Sequence, residues 1–301
     1  MPDHQHAPTP RTLTVRRVAG RAAVALETTL LAHGLPAGQG LPLSQELDDI
    51  IEGHRARPAT IGVLDGVPIV GMTKDELAGF LSRPRIEKAN TANLGPLIHQ
   101  RATAATTVSA TVQLAAGAGV RVMATGGLGG VHHNMDQRLD ISADLTALTQ
   151  YPVAVVSSGV KAILDVGSTR ELLETLGIPV IGYNTDTFPA FYLTDSESGV
   201  DATFDNPRDI AAFARRHLAQ TGRGVLVVQP VPAKHAIEPH QWHDWLEQAQ
   251  HATPAMQGRA ATPAILDTLH RISEGKTLAA NLALVRANAG LAAQIAVEIA
   301  R

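Results

Sequence analysis

Short apolar runs alternate with helical patterns from about Arg21 to Val228. Such an alternation is typical of an α/β domain in which helices cover a parallel sheet. We therefore expect one α/β catalytic domain over residues 21–301, with a largely parallel sheet flanked by helices. The runs predict strands at Ala22–Leu26, Thr60–Leu64, Val67–Val70, Arg121–Ala124, Val153–Val156, Pro179–Ile181 and Gly224–Val228.

Local signals add a β-hairpin and several helices to this pattern. Asp65-Gly66 suits a left-handed turn between two apolar runs, so it predicts a hairpin that extends the sheet. A capping box at Thr73–Glu76 and an amphipathic stretch at Ser44–Ile51 each indicate a helix. A further helix is predicted at Asn206-Pro207, where proline takes the first helical position. Two Ala/Leu-rich helices are predicted across Thr262–Ala300, with a break near Glu274-Gly275.

Composition narrows the classes of function. The 301-residue chain is 45% hydrophobic and 18% charged, as in ordinary soluble domains. Its formal net charge of −3, without a run of five like charges, argues against a nucleic acid or membrane partner. Cysteine is absent, which excludes disulfides and a thiol nucleophile and fits a cytoplasmic location. Residues 1–20 are predicted to form a disordered tail, because their polar start lacks the apolar centre of a signal peptide.

A glycine-rich segment, Thr125-Gly-Gly-Leu-Gly-Gly-Val-His132, follows one predicted strand. It is not a dinucleotide fingerprint, because His132 stands where the third glycine belongs, and the chain has no P-loop motif. The pair His132-His133 lacks the third fixed spacing of a zinc site. The segment is either a tight strand-to-helix turn or a loop whose backbone N–H groups approach an anionic ligand.

Lys161 and Glu27 each follow a predicted strand, where ligands bind in open α/β sheets. We expect Lys161 in the first turn of a helix, either as a solvated side chain or as an amine that a ligand covers and keeps partly neutral. A neutral amine attacks carbonyl groups. Glu27 is either a structural anchor or a carboxyl whose pKa is raised by burial, as a general acid requires.

Two pairs of polar side chains are spaced to share a helix face. Asp140 and Asp144 are four residues apart, and Ser142 between them is a candidate N-cap. The two acids either cap a helix or form an oxygen-rich site for Mg²⁺ or Mn²⁺ completed by water. Asn281 and Asn288 are two turns apart, and they either link helices or bind a ligand.

Nine ordered segments together carry a family resemblance: Ala25–Thr29, Ala32–Gly34, Pro58–Ile61, Ala105–Val108, Ala124–His132, Asp140–Asp144, Lys161–Asp165, Glu174–Pro179 and Pro189–Phe191. Over roughly Val24 to Ala296 the chain resembles the pseudouridine-5′-phosphate glycosidases. The resemblance implies an enzyme that makes or breaks a C–C glycosidic bond between C1 of ribose 5-phosphate and a base, with Mn²⁺ or Mg²⁺ as cofactor.

The resemblance also implies a mechanism. A C–C bond has no heteroatom leaving group, so paired carboxylates are insufficient, and a lysine amine instead forms an imine that acts as an electron sink. Lys161 matches the nucleophile, Glu27 the proton donor and acceptor, and Asp140 the metal ligand. The implied substrate contacts are Lys88, Thr107, Val108, Thr125, His132, Ser142, Ala143, Asp144 and Asn281.

Within these implied contacts, Ser142–Asp144 match the segment that holds the sugar phosphate, while His132 and Asn281 match positions near the aglycone. The resemblance further suggests a homo-oligomer, specifically a trimer. The expected partners are ribose 5-phosphate and either uracil or another aromatic aglycone, without nucleic acid or membrane.

Several positions depart from the family pattern. The family carries Ser-Arg-Arg-Asp after its lysine, whereas Lys88 is followed by Ala-Asn90-Thr-Ala-Asn93. Gln229 replaces an asparagine, and Arg259-Ala260 replaces Lys-Glu. Losing paired polar groups weakens recognition of uracil more than that of an apolar ring. We therefore expect a C-ribosylating synthase of natural-product biosynthesis that acts on a non-uracil aromatic. The alternatives are a glycosidase that releases uracil and an inactive sugar-phosphate binding protein.

Overall fold

The computed structural model describes residues 14–15, 22–133, 139–252 and 261–301. In these residues, eleven strands form one sheet. Their bounds are β1 Thr14–Val15, β2 Ala23–Glu27, β3 Arg57–Leu64, β4 Val67–Val70, β5 Glu87–Ala89, β6 Ala104–Thr106, β7 Val122–Ala124, β8 Ala154–Ser157, β9 Val180–Tyr183, β10 Ala202–Phe204 and β11 Val225–Val228.

The sheet is largely parallel, as the sequence predicts. Its main order is β1-β4-β3-β2-β7-β8-β11-β9-β10, and β6 joins it through β3 while β5 pairs with β6. The antiparallel pairings are β3 with β4 and β3 with β6, and the other pairings between named strands are parallel. Parallel strands in the middle of the sheet are buried on both faces by helices, which explains their continuous apolar runs.

The hairpin that joins β3 to β4 is confirmed. Its turn residues Asp65 and Gly66 have φ values of 51° and 77°, as a two-residue turn with two left-handed positions requires. β3 begins three residues earlier than predicted and includes Pro58, which pairs with Val24. Proline is tolerated there because β4 pairs with β3 only from Ile61 onward, so the lost N–H costs no ladder bond on that side.

Eleven α-helices occur in the described residues, and the signals read from the sequence mark several of their ends. Thr73 and Glu76 form the predicted capping box, and Asn206 accepts a hydrogen bond from the Asp209 amide. The bounds are α1 Thr29–His33, α2 Gly40–Gly53, α3 Lys74–Leu81, α4 Leu94–His99, α5 Val108–Gly117, α6 Ala143–Gln150, α7 Val166–Thr175, α8 Pro207–Thr221, α9 Pro239–Ala252, α10 Ala261–Ile272 and α11 Lys276–Ile299, with a 3₁₀ turn at Ala233–His235.

The last helix, α11, lies in the core. It packs against β2, β7 and β8 and against helices α2 and α8. Among the described helices, α11 alone is long and apolar enough to cross a membrane, judged by length and hydropathy. Half of its most apolar stretch is buried inside the protein. Its apolar surface is therefore accounted for by packing within the domain. Gly275, with a φ of 81°, separates it from α10 where the sequence predicts a break.

Besides β1, which lies in the predicted tail, three short strands, β5, β6 and β10, are absent from the sequence prediction. Each spans three residues and lacks a run of alternating or continuous large apolar side chains, so neighbouring strands rather than local propensity define it. Of the tail predicted at 1–20, the structure describes Thr14–Val15, which pair with β4. The rest of that predicted tail lies outside the described residues.

Candidate active site

A cleft with two connected lobes opens beside the carboxyl ends of β2, β7 and β8. The lobes have cavity volumes of about 90 and 240 Å³ and share Glu27, Thr29, Lys88, Lys161 and Ile163. We name the first the apolar lobe, since Leu30, Phe191 and Tyr192 line it, and the second the polar lobe. Thr125 and Asn281 line the apolar lobe, and the polar lobe is lined by Thr107, Val108, His132, Asp140, Ser142, Ala143 and Asp144. The structure thus brings every predicted site residue to one cleft.

Glu27 is the last residue of β2 and faces the junction of the lobes. Its Oε1 accepts a hydrogen bond of 2.5 Å from the Thr125 hydroxyl. The side chain is partly accessible from the cavity, yet the surrounding protein removes most of its solvation and thereby raises the pKa of Glu27. The positive charge of Lys161 and the bond from Thr125 oppose that shift without cancelling it. Glu27 is therefore suited to hold and donate a proton.

Buried threonines fix the backbone that follows Glu27. The Thr28 hydroxyl donates to the Ile61 carbonyl at 2.8 Å and accepts from the Thr106 amide at 3.0 Å. The Thr29 hydroxyl donates to the Thr106 carbonyl at 2.8 Å. These bonds tie the end of β2 to β3 and β6, so Glu27 keeps one position relative to the rest of the cleft.

Lys161 lies in a loop, and the expectation that it occupies the first turn of a helix is wrong. Helix α7 begins only at Val166, with Asp165 as its N-cap. The Lys161 amide donates to the Leu128 carbonyl at 3.1 Å, and the Leu164 amide donates to the Lys161 carbonyl at 2.9 Å. The bond to Leu128, which no local sequence signal announces, holds Lys161 against the glycine-rich segment.

The glycine-rich segment packs against protein rather than forming a strand-to-helix turn. The amides of Leu128, Gly129 and His132 donate to the Gly159 carbonyl, the Asp144 carboxylate and the Asp140 carbonyl, respectively. A Cβ on Gly129 would collide with the Ser142 side chain, so glycine permits this close approach. These amides are thus engaged by protein groups and are not directed at an anion.

Asp144 holds the polar lobe together. Its two carboxylate oxygens accept hydrogen bonds of 2.9 Å from the amides of Ser109 and Gly129. Ser142 is the N-cap of α6, as predicted, because its hydroxyl accepts from the Asp144 amide. The buried carboxylate therefore joins α5, α6 and the glycine-rich segment, and its geometry gives it a positioning role.

Two helix N-termini and the lysine Lys88 line the polar lobe. The first turns of α5, at Val108, and of α6, at Ala143, both line it, and helix N-termini attract anions. Lys88 adds a positive charge from β5. Asn93 fixes the loop after Lys88, since its Nδ2 donates to the Lys88 carbonyl at 3.0 Å, and Asn90 accepts from the Asn93 amide. These groups favour an anion beside the two helix N-termini, while the carboxylates of Asp140 and Asp144 line the same lobe.

Asp140 precedes the N-cap of α6, so it does not share a helix face with Asp144 as the spacing suggests. Its side chain borders the polar lobe and has no hydrogen-bond partner within the described ranges. No cluster of three or more potential metal ligands occurs in those ranges. A lone carboxylate fits a hard cation that keeps most of its water, and it does not fit a zinc site.

The two asparagines of α11 differ in their partners. Asn288 donates to the Thr125 carbonyl at 2.8 Å and accepts from Gln229 at 2.9 Å, so it is a structural link. Asn281 borders the apolar lobe, and its buried Oδ1 has no partner in the described part of the chain. Of the two alternatives for these residues, the structural one fits Asn288 and the ligand-binding one fits Asn281.

The sequence analysis did not single out most of the apolar lobe. Leu30 comes from α1, Phe191 and Tyr192 from a loop after β9, and His270 from α10. These residues are distant in sequence, and no periodic pattern connects them. The segment Pro189–Phe191 among the family markers was the available signal for the aromatic pair. The ring of His270 is oriented by a 2.8 Å contact between its Nδ1 and the Thr277 hydroxyl.

The departures from the family pattern do not gather around the apolar lobe. Asn90 borders the polar lobe, and Gln229 lines neither lobe because it bonds to Asn288. Arg259-Ala260 lie outside the described residues. The structure therefore does not place Asn90 or Gln229 in the lobe that contains Asn281, where a change of polar groups would alter recognition of the aglycone.

Comparison with known proteins identifies the family of the chain. The family described as "Indigoidine synthase A like protein" matches residues 15–298. Pseudouridine-5′-phosphate glycosidases of Symbiobacterium thermophilum and of a Nocardioides species are 42% and 44% identical to the chain. The first alignment covers 93% of both proteins, and the second covers 93% of this chain and 92% of its relative.

Two solved structures share the fold over nearly the whole chain. An indigoidine synthase A-like protein of Thermotoga maritima has a TM-score of 0.90 at 34% identity and covers 99% of this chain and 100% of its own. The prealnumycin C-glycosynthase AlnA in complex with ribulose 5-phosphate has a TM-score of 0.88 at 30% identity and covers 99% of this chain and 98% of its own.

The fold and cleft thus define an α/β enzyme of the C-glycosidase and C-glycosynthase class. The chain belongs to the indigoidine synthase A-like family, together with the pseudouridine-5′-phosphate glycosidases.

Proposed function

We propose that the chain forms or cleaves a C-glycosidic bond at C1 of ribose 5-phosphate through an imine on Lys161. The observation that carries this proposal is the position of Lys161 and Glu27 at the junction of the two lobes. An amine and a carboxyl with a raised pKa there lie between a region suited to an anion and a region suited to a flat ring. A protein that only binds a sugar phosphate needs neither group.

The 5-phosphate occupies the polar lobe. Support comes from the N-termini of α5 and α6, which approach each other because Asp144 binds both regions, and from Lys88. In this arrangement Thr107, Val108, Ser142 and Ala143 contact the sugar phosphate. C1 then lies toward the junction of the lobes, and the aglycone extends into the apolar lobe past Thr125 and Asn281, whereas His132 borders the sugar phosphate in the polar lobe.

In the direction of synthesis, the Lys161 amine condenses with the open-chain aldehyde at C1, and water leaves as the imine forms. A ring carbon of the aglycone attacks C1 of the protonated imine, and the C=N electron pair moves to nitrogen. That ring carbon gives its proton to Glu27. The 4-hydroxyl oxygen then displaces the amine from C1, passes its proton to nitrogen and closes the ribose. Cleavage is the reverse, with protonated Glu27 supplying the proton to the ring carbon.

A divalent cation, Mn²⁺ or Mg²⁺, is proposed at Asp140. The carboxylate borders the polar lobe without a described partner, which fits a cation held by one protein ligand and water. The cation supplies positive charge near the sugar phosphate when bound. Replacing Asp140 by alanine is expected to abolish the response of activity to added Mn²⁺. Unchanged activation by Mn²⁺ in this variant would place the metal elsewhere.

The aglycone is proposed to be a non-uracil aromatic, so that the enzyme acts as a natural-product synthase. The apolar side chains of Leu30, Ile163 and Phe191 in this lobe suit the faces of a flat aromatic ring. Cleavage of pseudouridine 5′-phosphate to uracil is the second candidate, and the 42–44% identity to such glycosidases favours it. We further propose a cytoplasmic homo-oligomer, a trimer by resemblance.

The experiment compares the two candidate aglycones directly. The kcat/KM for cleavage of pseudouridine 5′-phosphate is measured beside the kcat/KM for coupling ribose 5-phosphate to dihydroxynaphthalenes, both with Mn²⁺. The proposal predicts weak cleavage and more efficient coupling. Efficient cleavage with no coupling would make the protein a uracil-releasing glycosidase. Absence of both reactions, together with tight binding of ribose 5-phosphate, would favour the inactive binding protein.

A further inference from the structure

The wall of the apolar lobe includes two residues whose buried polar atoms lack partners. The Tyr192 hydroxyl and Asn281 Oδ1 make no hydrogen bond in the described part of the chain, and their residues are only 1% and 7% exposed. Folded proteins rarely leave buried polar atoms in this state, because each has given up water without gaining a new partner. Both residues line the apolar lobe and their unpartnered atoms lie behind its wall, so a ligand that shifts either side chain in the lobe supplies the missing partner.

Packing alone does not explain the hydroxyl of Tyr192. The ring contacts Phe191 edge-on at 4.7 Å between centroids and Trp242 at 5.1 Å. A phenylalanine would make the same ring contacts without burying an unpartnered oxygen. Burial also raises the pKa of Tyr192, so the hydroxyl stays neutral and able to donate at physiological pH.

Asn288 provides an internal comparison for Asn281. Both residues are buried on α11, but the amide of Asn288 bonds to the Thr125 carbonyl, the Ser158 hydroxyl and Gln229. The fold is therefore able to satisfy a buried amide at this helix. The amide of Asn281, two turns earlier and beside the lobe, has no such bonds.

We infer that Tyr192 is a specificity-determining residue that, together with Asn281, selects an aglycone bearing polar groups at two places on a flat ring. The inference rests on the proposed function, which puts the aglycone in this lobe. The Tyr192 hydroxyl donates to a carbonyl or phenolic oxygen, and the Asn281 carboxamide accepts an O–H or N–H. A ring that lacks these groups leaves both protein atoms unpaired and is rejected. The selected class is thus a dioxygenated aromatic or an imide.

The test is Tyr192→Phe, with Tyr183→Phe as the matched control, because Tyr183 ends β9 and lines neither lobe. Coupling of ribose 5-phosphate is measured with 1,3-dihydroxynaphthalene and with its monomethyl ethers. Where uracil is the aglycone that reacts, uracil and 3-methyluracil replace these rings. Tyr192→Phe is expected to raise KM for the unmethylated ring about tenfold and to reduce the preference for it over one methylated form. Tyr183→Phe should change neither value.

A second measurement excludes a structural role for the hydroxyl. If the hydroxyl has no protein partner, Tyr192→Phe should leave the melting temperature of the free enzyme unchanged or raise it. A lower melting temperature, or an unchanged ring preference, would overturn the inference.

Borohydride trapping of ribose 5-phosphate separates this inference from the proposed function. Wild type and Tyr192→Phe should be trapped equally, because the hydroxyl acts on the aglycone alone. Absence of trapping in wild type would remove the proposed function and the inference with it. Normal trapping with an unaltered ring preference would remove the inference alone.

Discussion

Glu27 combines two opposing influences on one carboxyl. Burial raises its pKa, whereas Lys161 and the hydrogen bond from Thr125 lower it, and burial dominates. A carboxyl that keeps its proton to higher pH is a better proton donor near neutrality. The same shift carries a cost in stability, because above the raised pKa the folded protein contains a poorly solvated charge that the unfolded chain exposes to water.

The sign of the pH dependence for Glu27 follows from this cost. Its folded pKa lies above its unfolded pKa, so its contribution to stability is complete below the unfolded value and is lost as pH rises through the folded value. Glu27→Gln should therefore be more stable than wild type at pH 7–8. The difference should shrink, by at most ~1.4 kcal/mol per pH unit, as pH falls toward the ordinary pKa of a glutamate.

Urea unfolding of wild type and Glu27→Gln across this pH range measures the effect. The variant should also lose about 10²–10⁴-fold in turnover, since an amide does not transfer the proton. Parallel stability curves for the two proteins would show that the carboxyl is not perturbed by the fold. Normal turnover in the variant would make Glu27 a structural anchor.

At the scale of elements, the sequence correctly predicted a turn, a helix cap and a helix break, because adjacent residues determine each of them. The Asp65-Gly66 turn, the Thr73 capping box and the break before α11 all follow from the conformational preferences of a few adjacent residues. Lys161 was misplaced because the loop after β8 is held by bonds to Leu128, which is distant in sequence. A sequence pattern does not show such a bond.

The junction of α5 and α6 gives a prediction at the element scale. Asp144 accepts from two backbone amides, of Ser109 and Gly129. Asp144→Asn replaces one acceptor oxygen by an NH₂ group that faces an N–H donor, so one amide loses its partner. We expect a loss of about 1–3 kcal/mol in the free energy of unfolding and a higher KM for ribose 5-phosphate.

The control for this variant is Asp209→Asn in the first turn of α8, which is exposed and far from the polar lobe. It should change stability by less and leave KM unaltered. An Asp144→Asn variant with wild-type stability would show that the carboxylate does not join the two helices. An effect on KM without any loss of stability would instead indicate direct contact with the substrate.

At the scale of the whole molecule, the cleft depends on α11, whose small buried side chains let it lie close to the sheet. Ala293 is fully buried, whereas Ala300 is exposed at the end of the same helix. Ala293→Leu adds volume to a packed core and should cost about 1–3 kcal/mol, while Ala300→Leu should be nearly neutral. Thermal melting of both variants measures this difference. Equal melting temperatures would show that α11 is loosely packed.

The assembly of the site also belongs to this scale. Glu27, Lys88, Asp140, Lys161 and Asn281 come from five separate segments, and the sheet order brings them together. The sequence predicted them because they match a family pattern, and Glu27 and Lys161 also follow strand ends. It did not predict Tyr192 or His270 as parts of the cleft, since their positions depend on the packing of remote loops and helices.

The most direct test of the account is to trap the imine on Lys161. The enzyme is incubated with ribose 5-phosphate, reduced with borohydride, digested and analysed by mass spectrometry. Wild type should carry one reduced sugar phosphate, located on Lys161, and Lys161→Ala should carry none while retaining its fold and losing turnover by several orders of magnitude. A wild-type protein without the adduct, or a Lys161→Ala variant that keeps a tenth of the activity, would contradict the account.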